Sequence, residues 1–167
     1  MPRALSRVLL LVFFAAFTAC KTRPIPAFEP IQVPPGLSAQ KVELAIFAGI
    51  LNKPPPADFD PTGPPLTDEQ FRKLLWDYFL RDARGRSWFP ESTGPGIVYA
   101  AVNARSHYLR VALTFNESVI ETQIVASENL MQGEGKIHNR ALKWIAQLHE
   151  HIRRELGRLS ASGRGGT

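Results

Sequence analysis

Ile97-Val98-Tyr99-Ala100-Ala101-Val102, Tyr108-Leu109-Arg110-Val111-Ala112-Leu113-Thr114-Phe115 and Val119-Ile120-Glu121-Thr122-Gln123-Ile124-Val125-Ala126 decide the fold of this 167-residue chain. The middle segment alternates Leu109, Val111, Leu113 and Phe115 with Tyr108, Arg110, Ala112 and Thr114. That period of two marks a strand with one dry and one wet face. Asn103 to Ser106 and Asn116 to Ser118 are short polar connections, so an antiparallel meander is expected. Its dry face needs a cover.

The cover is written in helical periods on both sides. Downstream, Ile137, Ala141, Trp144, Ile145, Leu148, Ile152 and Leu156 share one stripe of a helix from about Lys136 to Leu156, and Lys143, Glu150, Arg153 and Arg154 lie largely outside it. This helix is expected to cross the sheet, burying Trp144 and Leu113. Upstream, Ser38 stands where it can cap a helix to about Leu51 with two apolar stripes, one of Val42, Ala45, Ile46, Gly49 and Ile50, the other of Leu44, Phe47 and Leu51. Two stripes require two packing partners. An inserted helix supplies one: Thr67 and Gln70 make a capping box, Leu66 and Phe71 a hydrophobic staple, and Phe71, Leu74, Leu75, Tyr78 and Phe79 a core stripe leading to Arg81, Arg84 and Gly85. The expected fold is α+β: a three-stranded antiparallel β-meander packed on an N-terminal helix, an inserted helix and a long C-terminal helix, in one domain over residues 37–159.

The ends differ in composition. Arg3 and Arg7 precede the apolar run Val8 to Phe17, and small Thr18 and Ala19 close it, so residues 1–19 read as an export signal. A membrane-spanning helix needs about 20 apolar residues, and this run is shorter. Cys20 follows directly and is the only cysteine, which excludes a disulfide within the chain. Pro24, Pro26, Pro30, Pro34 and Pro35 make residues 20–36 an expected extended tether. At about 3.1 Å per residue it would reach roughly 50 Å. Residues 160–167 read as a flexible tail rich in Ser and Gly. The leader holds two arginines and no acid, so its removal lowers the formal charge from +5 to +3, which makes no case for a nucleic-acid partner.

Thr18-Ala19-Cys20 resembles the lipobox of bacterial lipoproteins, with Phe17 where that pattern prefers Leu. The resemblance implies cleavage before Cys20, a thioether-linked diacylglycerol, and an acylated, typically palmitoylated, N-terminus. The membrane would then be a partner through lipid; several acyl chains hold firmly where one is marginal. Lys21 in place of Asp resembles the sorting rule for the outer membrane, which implies its periplasmic face. The order Trp88, Pro95-Gly96-Ile97, Arg105-Ser106-His107, Ser127-Glu128-Asn129-Leu130, Ile137-His138 and Trp144-Ile145 with Leu148 resembles a family of small bacterial lipoproteins of uncharacterised function. That family often has Tyr and Asn where this chain has Ala141 and Leu142, and it lacks the insertion at residues 52–86. The resemblance implies a fold and an anchor, and no reaction.

Asp58-Phe59-Asp60-Pro61-Thr62-Gly63 followed by Glu69 has the spacing of a calcium loop, with oxygens from Asp58, Asp60, Thr62 and Glu69. Against it stand Pro65 at the eighth place and Pro54 to Pro56, which stop an incoming helix. A proline-rich connector with Glu69 in a helix first turn explains the same residues. His107 and His138 are expected to approach each other, and Glu128 or Glu134 is the obvious third ligand for a metal. The reading adopted for His138 is structural: with Ser127, Asn129 or the backbone it orders the turn into the last helix, and no metal or other cofactor is expected. His149 and His151, two apart on a helix, cannot share an ion. Ser106 beside His107 lacks the strand-turn-helix elbow of a hydrolase, and no Asp follows Asp82. Arg81, Arg84, Arg86, Arg105 and Arg110 are candidates for a basic patch, and Tyr99, Tyr108 and Trp88 for a peptide or glycan groove, unless Trp88 closes the core. What remains is a membrane-anchored, non-enzymatic structural or binding module with an envelope protein or glycan as partner.

Overall fold

The computed structural model describes residues 22–56, 59–60, 63–80, 88–130 and 133–162. In chain order the elements are β1 (Thr22–Pro24), β2 (Ile31–Gln32), α1 (Ala39–Leu51), α2 (Asp68–Leu74) with its π-helical continuation (Leu75–Leu80), β3 (Trp88–Gly94), β4 (Ile97–Ala104), β5 (His107–Phe115), β6 (Val119–Glu128), β7 (Lys136–His138) and α3 (Asn139–Ser162). The architecture is α+β. The expected meander is β4-β5-β6, but it forms the middle of a five-stranded antiparallel sheet ordered β2-β6-β5-β4-β3, and β1 pairs with β7 in a separate ribbon.

Directly opposed residues share a face, so the register sorts the side chains. Val98 faces Leu113, Ala100 faces Val111 and Val102 faces Leu109, and all six are buried. Two bulges re-aim side chains of β3 and β6. In β3 the register slips between Pro90 and Ser92, leaving Glu91 as the extra residue; in β6 Arg110 pairs with Ala126 and Val111 with Ile124, leaving Val125 extra and exposed. Turn chemistry fixes the hairpins. Pro95-Gly96 joins β3 to β4 with Gly96 at φ +68°, where a side chain is disfavoured, and Phe115 N donates to Gly96 O at 2.8 Å. Asn116 Oδ1 accepts from Ser118 N at 2.7 Å and Val119 N at 3.0 Å, shaping the β5–β6 turn.

Helix α1 is the centre of the core: Val42 and every residue from Leu44 to Leu51 are buried. It contacts β3, β4 and β5 on one side, α3 on another, and the π-helical segment through Phe47 and Phe79, whose rings lie 6.3 Å apart. The two stripes thus meet three partners. The central cover of the sheet is α1 rather than the last helix. α3 packs on α1 and reaches the sheet at β6, so Trp144 is only half-buried while Ile145, Leu148 and Ile152 enter the core. The approach of α1 to α3 is close: a Cβ built on Gly49 would meet Ile152 Cγ1 at 2.6 Å and Ile152 N at 2.8 Å.

Capping follows the sequence in one helix and departs from it in the other. In α2 the box forms, with Thr67 Oγ1 accepting from Gln70 N at 3.3 Å and Gln70 Oε1 accepting from Thr67 N at 3.0 Å. At α1, Ser38 holds the cap position without a capping bond, and Ala39 N instead donates to Glu117 Oε1 at 3.3 Å, a carboxylate lent by the β5–β6 turn. That sign suits a helix start. The far end of α1 closes on Asn52 in the left-handed region, and Arg154 of α3 donates to Asn52 Oδ1 at 2.6 Å. Beside it Glu155 is fully buried and ion-paired to Arg154 at 3.1 Å and Arg158 at 3.0 Å. A buried carboxylate needs such partners.

The expected tether is corrected. From Thr22 onward the chain is docked: β1 and β2 pair with β7 and β6, Ile31 and Val33 belong to the core, and Ile25 and Phe28 pack against it. The prolines prevent a long strand, and two short pairings with apolar plugs between them serve instead. The domain therefore begins before residue 37. The expected tail is also shorter, since α3 continues to Ser162 with Leu159 and Ser160 buried.

Candidate functional site

The outer face of the sheet carries the densest chemistry. The rows Phe89-Ala101-Arg110-Ala126 and Ser92-Tyr99-Ala112-Gln123 run across it from β3 to β6. Ala101 and Ala112 are small enough to disappear beneath their neighbours, giving a flat floor. Over it the Arg110 guanidinium stands 4.6 Å from the Tyr99 ring centre, and Arg110 Nε lies 2.7 Å from Glu91 Oε2. Tyr108 donates its hydroxyl to Glu91 Oε1 at 2.7 Å. Burial, then the Glu91 bond and charge, raises the Tyr108 phenol above its ordinary value. The bulge is what aims Glu91 at both partners. Aromatic faces and a charged fork on a firm floor suit contact with a polar chain such as a glycan or peptide. Trp88 is not among them: it pairs with Val102 on the inner face and closes the core.

At one end of the sheet, His107 and His138 come together with nearly parallel rings and centres 6.3 Å apart. His138 Nδ1 accepts from Arg140 N at 3.0 Å, capping its own helix, while its backbone N donates to Leu130 O at 2.8 Å. Asn129 turns to the β4–β5 hairpin and donates from Nδ2 to Ser106 O at 2.5 Å. Ser127 sits opposite Leu109 on the inner face. Of the partners expected for the His138 imidazole, the structure gives it the backbone, while the Asn129 amide bonds the neighbouring hairpin. His107 Nδ1 is buried and makes no hydrogen bond among the described residues. No group of three His, Cys, Asp or Glu residues able to hold an ion occurs among them, so Glu128 and Glu134 do not complete a set.

Of the calcium loop, Asp58 and Thr62 lie outside the described residues, as do Cys20, Arg81, Arg84 and Arg86. Glu69 stands in the first turn of α2, where a helix start favours an acid. α1 ends at Leu51 and residues 53–56 are non-helical, so the incoming helix that such a loop requires does not abut it. Asp60 instead borders a cleft of about 490 Å³ with Phe59, Leu66, Phe71 and Leu74. Gln40 closes one side of it, donating from Nε2 to Leu66 O at 2.7 Å and accepting Leu66 N at 3.0 Å.

Sequence reasoning missed the buried polar contact between α3 and the sheet. His149 Nε2 lies 2.8 Å from Thr122 Oγ1, with the Phe28 ring edge-on at 6.1 Å. Burial, and then the Arg153 charge, lowers His149 from its usual 6.5 to about 4. The folded chain keeps this imidazole neutral where the unfolded chain binds a proton. Its contribution is complete above pH 6.5 and is lost as pH falls from about 6.5 to about 4, on the order of 3 kcal/mol in all. His149→Gln is expected to flatten the fall in urea midpoint between pH 7 and pH 4.5. Other groups cancel in the comparison, including Glu43, whose carboxyl burial raises. An unchanged fall in the variant would assign the acid sensitivity elsewhere.

No protein-family model, curated protein or solved structure matches this chain.

Proposed function

We propose that this chain is a lipid-anchored protein of the bacterial cell envelope, held at the periplasmic face of the outer membrane by acylated Cys20, and that its α+β domain works as a non-enzymatic structural or binding module. The observation that carries the reading is an export signal whose small residues end directly on the chain's only cysteine. Lys21 favours the outer membrane. The Tyr99, Tyr108, Arg110 and Glu91 surface suits the partner, an envelope protein or a glycan, because it offers aromatic faces beside a fixed ion pair. Intact mass of the protein extracted from membranes tests the anchor. The expected species begins at Cys20 and carries diacylglycerol with a further acyl chain; an unmodified mass overturns the proposal.

A further inference from the structure

Thr22 is already paired with His138, so only Lys21 separates Cys20 from the first strand of the fold. Two Cα steps cover at most about 7 Å. The interfacial layer of one leaflet is itself about 6 Å thick, so an acyl anchor on Cys20 leaves the domain no room to stand away from the bilayer. The end of the domain nearest the anchor is identified by a chain of contacts. Thr22 opposes His138, His138 stacks on His107, and His107 adjoins the Arg105-Ser106 turn. Among the described residues, those exposed at this end are Arg23, Arg105, Lys136 and Arg140, against the exposed acids Glu128 and Glu134. The first turn of α3 adds no carboxylate.

We propose that the β1–β7 end of the domain rests on anionic phospholipid headgroups, with Arg23, Arg105, Lys136 and Arg140 as the contacting charges. The inference rests on the acylation of Cys20 and adds the orientation of the domain and the lipid class that it meets. Each basic residue at an anionic surface strengthens association roughly fivefold. The Asn116–Ser118 turn lies at the other end of β5, roughly 27 Å away along the strand. At physiological salt the surface field decays over about 8 Å, so charges at that end contribute nothing. The contact sets one end of the sheet on the bilayer and leaves the outer face with Tyr99 and Arg110 open to the side.

The test uses the full-length acylated protein in phosphatidylcholine vesicles with and without phosphatidylglycerol. Cys20 is consumed by lipid, so Ser106→Cys and Ser118→Cys each give a single labelling site for a fluorophore. A nitroxide on the lipid headgroup should quench the label at 106 several-fold more than the label at 118 in anionic vesicles. Arg23→Glu, Lys136→Glu and Arg140→Glu together should shrink that difference to the level seen in vesicles without phosphatidylglycerol, as should high salt with the unmutated charges. Equal quenching at the two sites of a protein of acylated mass overturns this orientation alone. A protein without acyl mass overturns the anchor, and the orientation with it.

Discussion

Cys20→Ser is expected to produce a protein without acyl mass that leaves the membrane fraction almost entirely. The hydroxyl of serine does not accept the diacylglycerol that a thiol accepts, and the chain has no second cysteine. No helix among the described residues is long and apolar enough to cross a membrane, and the leader run is shorter than a span. Several acyl chains anchor tightly, and losing all of them removes the main attraction to the bilayer. The basic end around Arg23 and Arg140 would leave only a weak, salt-sensitive association. Fractionation in high salt with intact mass on both fractions checks this; a serine variant that stays with the membrane would show that something other than Cys20 holds the protein there.

The largest loss of stability is expected from Gly49→Ala. An added Cβ would fall 2.6 Å from Ile152 Cγ1, but also 2.8 Å and 2.9 Å from Ile152 N and Cα. A side chain yields by rotating; a helix backbone yields only by moving the helix. Since α3 also carries the pairing with Asn52 and the contact with Thr122, that movement disturbs both. Overpacking of this kind costs about 3 kcal/mol, a large share of the 5 to 15 kcal/mol of a small domain. The melting temperature should fall by about 10 °C. Combining it with Ile152→Ala should not restore stability, because the backbone atoms remain in the way. A double variant as stable as Ile152→Ala alone would show that the clash is with the side chain only.

The parts of the fold that were legible in the sequence are those whose signal is local. Leu109, Val111 and Leu113 announce their face by alternation, and Thr67 with Gln70 announces a helix start three residues apart. β3 was hidden because Pro90 argues against a strand; it is tolerated at a sheet edge, next to a bulge. β1 and β2 were hidden because their partners lie near the other end of the chain and their prolines suppress any period. Glu155 gave no sign of burial, since an acid between arginines on a helix reads as surface. Trp144 was expected in the core from its stripe, but α1 takes the place over the sheet that would have buried it. Of the candidate site, the aromatic pair Tyr99 and Tyr108 was visible on the wet face. Its partner Glu91 was not, because only a register slip in an unrecognised strand aims it there.

The pairing of Thr22 with His138 and of Ile31 with Ile120 imposes an order in time. A chain made from its N-terminus presents these first strands long before their partners exist, and closing such wide loops is slow. Until β6 and β7 emerge, Ile25, Phe28 and Ile31 are apolar groups with nothing to cover, and the prolines around them keep the segment from pairing with itself. Completion of the core is therefore deferred to the last third of the chain. A chain that stops before β6 and β7 leaves its first strands without the partners that dock them.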